Sequence, residues 1–123
     1  MNNLFDIYVD SAANLTDEMV ASTGIKIISY ICTVNGKDMK CYDEGKPFSK
    51  TAKEFYELLA SGAEVKTSLV GEETIIDAVT PSMQAGKDVL FITIASGISG
   101  TYSQAIAAQK TLKEKFPKSK FIV

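Results

Sequence analysis

The stretch Asp88–Thr101, DVLFITIASGISGT, leaves few options for the fold around it. Val89, Leu90, Phe91, Ile92 and Ile94 form a near-continuous apolar run, the pattern of a strand covered on both faces. The large side chains then stop. Ala95, Ser96, Gly97, Ser99, Gly100 and Thr101 are small or carry hydroxyls, and a helical pattern restarts near Tyr102. A buried strand, a small polar loop and a helix make half of a β-α-β unit. The helix start turns backbone N–H groups outward, where an anionic or oxygen-rich group can bind. The plainer reading is a strand-to-helix turn with a serine cap.

The rest of the chain fits that unit. Residues 4–9, LFDIYV, read as a short strand followed by Asp10 and Ser11. Thr16 can cap a helix whose first turn holds Asp17 and Glu18, and Gly24 is placed to end it. Residues 25–34, IKIISYICTV, read as one longer strand. Asn35-Gly36 signals a two-residue hairpin turn, with Lys37 to Tyr42 returning and Cys32 opposite Met39. Asp43 to Pro47 reads as a polar loop. Thr51 and Glu54 have capping-box spacing ahead of a helix face of Phe55, Leu58 and Leu59, which Gly62 ends.

Residues 64–68, EVKTS, read as a link carrying the hydroxyls of Thr67 and Ser68. Glu72 to Met83 has helical spacing at Ile75, Ile76, Val79 and Met83, with Pro81 expected to kink or shorten the helix. The last helix runs from about Gly100 to Phe116, with Ala105, Ala108, Leu112 and Phe116 on one stripe and Pro117 as its stop. Lys120 to Val123 begins another strand. Strands alternating with helices predict an α/β layered domain with a largely parallel sheet, helices on both faces and a β-hairpin. A domain seldom ends as a core strand begins, so these residues are expected to be the front part of a longer protein. A terminal edge strand is the alternative.

Composition narrows the chemistry. All 13 basic residues are Lys, and His is absent. The chain therefore cannot build a Ser-His-Asp triad, a His metal site or a bidentate Arg clamp. A net charge of -2 gives no reason to expect a nucleic-acid partner. Cys32 and Cys41 lack the spacing and partners of a zinc site, and a bridge between their diagonal positions would be strained, so both thiols are expected reduced. No apolar run is long enough to cross a membrane and the N-terminus has no basic leader, so a cytoplasmic protein without stable membrane insertion is expected.

Ligands of open α/β sheets sit beyond the carboxyl ends of the strands. Asp10-Ser11, Thr67-Ser68 and the Ser96–Thr101 loop are expected to meet there, gripping a carboxylate or a phosphate. The loop has neither P-loop nor GxSxG spacing, and with no His, serine nucleophilic catalysis has no base inside this chain. Hydroxyls also cap helices wherever helices start, and Thr16, Thr51 and Ser103 are expected to do no more.

The residues carrying these features resemble the front part of DegV family proteins, bacterial fatty-acid-binding proteins. The resemblance runs the whole length, in order. It takes in Asp10-Ser11-Ala12-Ala13-Asn14-Leu15, Tyr42-Asp43, Lys66-Thr67-Ser68, and Ser96-Gly97-Ile98-Ser99-Gly100-Thr101-Tyr102 ahead of Ala105 and Ala108. Two steps depart from it. The family's Thr-Ser-Gln-Pro is here Thr67-Ser68-Leu69-Val70, and its Val-Pro-Leu-like step is Ile28-Ser29-Tyr30.

The resemblance implies that residues 1–123 are an N-terminal DegV-like domain whose C-terminal partner domain is absent. It implies a fatty acid between the two domains, with its carboxylate bound by Thr67, Ser68, Ser96, Gly97, Ser99, Gly100 and Thr101. Asp10 and Ser11 would stand at the rim. A basic group from the second domain commonly helps. It also implies a carrier without chemistry or cofactor of its own, presenting the bound acid to a separate fatty acid kinase for phospholipid synthesis. The alternative open to the residues is an α/β protein, an enzyme or a binding protein, that takes a phosphate-containing small molecule at Ser96–Thr101.

Overall fold

A computed structural model describes residues 4–11, 15–40, 52–93 and 100–123. The chain runs β1 (Phe5–Asp10), α1 (Asp17–Thr23), β2 (Lys26–Ile28), β3 (Ile31–Val34), β4 (Lys37–Lys40), α2 (Ala52–Ala60), β5 (Val65–Ser68), α3 (Glu72–Gln84), β6 (Asp88–Ile92), α4 (Thr101–Lys115) and β7 (Phe121–Ile122). The strands form two sheets. One has four strands in the order β2-β1-β6-β7, and the other three in the order β4-β3-β5.

The four-stranded sheet is parallel throughout, with Tyr8 opposite Lys26 and Phe91, and Leu90 opposite Ile7 and Ile122. From the central pair, β1–α1–β2 and β6–α4–β7 step outward in opposite directions. Right-handed crossovers then put α1 and α4 on opposite faces. The expected α/β architecture is thus present, with α3 beside α4. The core lies between these two helices and the sheet. Tyr8, Ile28, Val89, Phe91 and Phe121 meet Val70, Ile75, Val79, Met83, Ala105, Ala108 and Leu112. Two aromatic rings from neighbouring strands, Phe91 and Phe121, touch edge to face at 6.4 Å between centroids. Two alanines on α4 let that helix lie close over the sheet.

Beneath this core a polar cluster closes the amino end of β1. Ser82 donates to Asp6 Oδ2 at 2.5 Å and Tyr8 Oη lies 2.8 Å from Ser82 Oγ. Lys26 and Lys87 approach the same carboxylate at 3.3 and 3.5 Å. Every buried side-chain nitrogen and oxygen among the described residues has a partner, which is what burial of polar groups requires.

Several local expectations hold. Thr16 accepts from the Met19 N–H at the start of α1, and Gly24 ends it with φ +71°. Asn35 and Gly36 both have positive φ, 48° and 80°, the type I′ geometry that suits a two-residue hairpin. Cys32 pairs with Met39, and Cys32 is a buried free thiol. Cys41, Tyr42, Asp43 and Thr51 lie outside the described residues, as does the Phe55 side chain.

Three expectations need correction. The single strand over 25–34 is two strands in different sheets, broken at Ser29-Tyr30. There Ser29 Oγ donates to the Tyr30 carbonyl, and Ser11 Oγ accepts the Tyr30 N–H. These bonds take Tyr30 out of any ladder and turn the chain from one sheet into the other. The link at 64–68 is strand β5, antiparallel to β3, with Cys32 opposite Thr67 and Ile31 opposite Ser68. Lastly, Pro81 sits inside α3, which runs on to Gln84. Pro81 removes one donor, to the carbonyl of Asp77, and both residues are exposed, so water can serve that carbonyl.

Candidate functional site

The carboxyl end of β1 and the start of α4 are joined by a continuous line of hydrogen bonds. β1 finishes with Asp10, which is buried at 2% exposure, followed by half-buried Ser11. Both turn to Tyr30. The Tyr30 N–H donates to Ser11 Oγ at 2.9 Å, and its hydroxyl donates to Asp10 Oδ2 at 3.2 Å. On its other side the Tyr30 oxygen accepts from the Thr101 hydroxyl at 3.4 Å. Thr101 Oγ1 in turn accepts the N–H of Val70 at 3.3 Å. Each group in the line donates toward the carboxylate, so the bonds polarise one another.

Val70 lies two residues past Ser68, and Ser68 itself is exposed at the end of β5. An extended chain advances about 3.3 Å per residue, which puts Ser68 roughly 7 Å from Val70. Leu69 between them reaches Gly100. A Cβ built on Gly100 would stand 2.8 Å from Leu69 Cδ2. The structure therefore brings Asp10, Ser11, Ser68, Gly100 and Thr101 to one end of the fold. Ser96, Gly97 and Ser99 lie outside the described residues, as does the side chain of Thr67.

The helix starts here differ in how they are finished. α1 has Asp17 and Glu18 in its first turn, and α3 has Glu72 and Glu73. The N–H of Glu72 is also bound by Gln104 Oε1 at 3.0 Å, and Thr111 donates to Glu72 Oε1 at 3.1 Å. The start of α3 is thus closed by side chains of α4. α4 opens on Gly100, which has no side chain to cap with, and has no acid in its first turn. Within α4 the first carbonyl bond is Gln104 N–H to Gly100 O. By helix geometry the N–H groups of Thr101, Tyr102 and Ser103 have no carbonyl within the helix. Such a start favours negative charge. Lys113 and Lys115 in the last turn complement the other end of the dipole.

The Thr101 side chain is fully buried, and its hydroxyl is engaged by Val70 and Tyr30. It is turned to the interior rather than to a ligand. Asp10 is likewise an inward acceptor that orients Tyr30. The sequence reading placed Tyr30 in a strand and noted Ile28-Ser29-Tyr30 only as a departure from the family's pattern. The signal available was the Ser29-Tyr30 pair, two hydroxyl residues interrupting an apolar run. Among the described residues no group of His, Cys, Asp or Glu converges as a metal site. Nor is any helix among them long and apolar enough to cross a membrane.

A family model described as "Uncharacterised protein, DegV family" matches residues 5–123. The chain belongs to the DegV family. Among curated relatives, a DegV domain-containing protein of Clostridium perfringens is 31% identical over 113 residues, 92% of this chain and 38% of the relative. The fold is that of a stearic-acid-binding protein from Eubacterium ventriosum, with a TM-score of 0.83 at 24% identity over 97% of this chain and 40% of that one. A DegV lipid-binding protein of Thermotoga maritima superposes with a TM-score of 0.77 at 25% identity, again over 97% of this chain and 40% of the other. The chain thus spans about two-fifths of the length of these DegV proteins.

Proposed function

We propose that these residues form the N-terminal DegV-like domain of a fatty-acid-binding protein, and that the acid's carboxylate sits where β5 ends and α4 begins. The observation that carries the reading is the start of α4. It is free of acidic side chains, opens on Gly100, and is tied to the end of β5 by the bond from Val70 to Thr101. Support comes also from the DegV structures of like fold, whose names give them fatty-acid or lipid binding. The head group would take hydrogen bonds from Thr67, Ser68 and the Ser96–Thr101 loop, with Thr101 contributing its N–H.

In this reading the site binds and does not catalyse, in keeping with the binding named for the structures of like fold. The full-length protein acts as a carrier that presents the acid to a fatty acid kinase. Native mass spectrometry of the full-length protein from a bacterial host is expected to show a co-purified fatty acid. Delipidated protein is expected to rebind acids of 14 to 18 carbons, more tightly as the chain lengthens, because each buried methylene contributes ~0.8 kcal/mol. No measurable binding to any of these acids would sink the proposal.

A further inference from the structure

Tyr30 stands in the covalent crossing from β2 to β3, between the two sheets; the chain passes back from β5 to β6 through α3. Among the described residues no strand of one sheet pairs with a strand of the other. Yet the candidate site takes β5 from one sheet and α4 from the layer over the other. Something must hold these two parts in register. Tyr30 is held at three points. Its N–H is bound by Ser11, its ring packs against the core, and its hydroxyl lies between Asp10 and Thr101. Thr101 is the first residue of α4 and receives the N–H of Val70, two residues beyond β5. A rotation of the α4 start away from β5 has to break this line.

We infer that Tyr30 is a positioning residue for the head-group site: through Thr101 its hydroxyl fixes the first turn of α4 against the end of β5. This rests on the fatty-acid reading above and adds to it a residue outside the binding loops. The consequence is selective. Hydrogen bonds to a carboxylate weaken steeply when their angles change, whereas burial of an acyl tail is non-directional. Loosening the α4 start therefore affects the head group and leaves the tail alone.

The test is Tyr30→Phe in the full-length protein, which keeps the ring in place and removes only the hydroxyl. Hexadecanoic acid and hexadecanol are the probes, since they share a tail and differ in the head. The acid is expected to lose roughly tenfold in affinity, about 1.4 kcal/mol, while the alcohol stays within about twofold. Equal losses for acid and alcohol would assign Tyr30 a purely structural role and overturn the inference, and so would unchanged acid affinity. Amide hydrogen exchange gives a readout independent of lipid. Exchange at Val70 and at Gln104, whose N–H binds the Gly100 carbonyl in the first turn of α4, is expected to quicken in the variant, with Val89 and Phe91 unchanged. Unaltered exchange at Val70 and Gln104 refutes the positioning role. If the wild-type protein binds neither probe, the fatty-acid reading is what fails, and exchange alone decides whether Tyr30 holds the α4 start.

Discussion

Thr101→Val replaces a hydroxyl by a methyl of nearly the same shape at a fully buried position. Its effect can be worked through atom by atom. Val70 is 2% exposed, and its N–H donates to Thr101 Oγ1. The substitution leaves that donor in a place where water does not reach. A buried group stripped of its partner costs about 1–3 kcal/mol. The bond is long at 3.3 Å, so the lower half of that range applies, about 1–2 kcal/mol.

Thr101→Ser is the control. It keeps the hydroxyl and deletes one buried methyl, at about 1 kcal/mol. Denaturant melts of the full-length protein should therefore show both variants destabilised by similar amounts. Amide exchange tells them apart. A loss of 1–2 kcal/mol of local protection quickens exchange by a factor of roughly 5–30. That change is expected at Val70 in Thr101→Val and not in Thr101→Ser. Should Val70 exchange as in the wild type when valine stands at 101, the hydroxyl does not hold the β5–α3 link, and the account of how α4 is placed is wrong.

Two further outcomes follow from other parts of the fold. The Ser82 hydroxyl, foremost, holds the Asp6 carboxyl below its usual value of 3.8; Lys26 and Lys87 pull the same way, against burial. A lowered carboxyl stabilises the fold above its unfolded value, and that stability is lost as pH falls through the lower folded value. Stability should thus decline from about pH 4 downward more steeply in the wild type than in Asp6→Asn; parallel pH curves for the two would contradict this. At the glycines, Gly36→Ala is expected to cost about 1–2 kcal/mol, because Gly36 has φ +80°. Gly100→Ala is expected to change stability by less than about 1 kcal/mol, because its φ is -72° and the atom in its way is the tip of half-exposed Leu69. Equilibrium melts of both variants check the order.

Much of the fold was legible in short windows of residues. The Asn35-Gly36 turn, the Thr16 cap, the Gly24 stop and the α4 stripe of Ala105, Ala108 and Leu112 each depend on chemistry within a few positions. Those forces act before any distant contact forms. β5 was not legible, because Val65–Ser68 holds one large apolar residue, and what makes it a strand is pairing with β3 some thirty residues away. The break at Ser29-Tyr30 was hidden for a similar reason. An apolar run says that a segment is buried, not which sheet buries each half.

The candidate site divides along the same line. That a helix opens on Gly100 and Thr101 with no acid behind it is written in the order of residues. That the Thr101 hydroxyl faces inward, that Asp10 serves as an acceptor, and that Tyr30 stands between them arises from packing. The hydrogen bond between Thr101 and Tyr30 joins positions 71 residues apart. Local chemistry sets what each group can donate or accept, and folding selects the partner from the many the chain could offer.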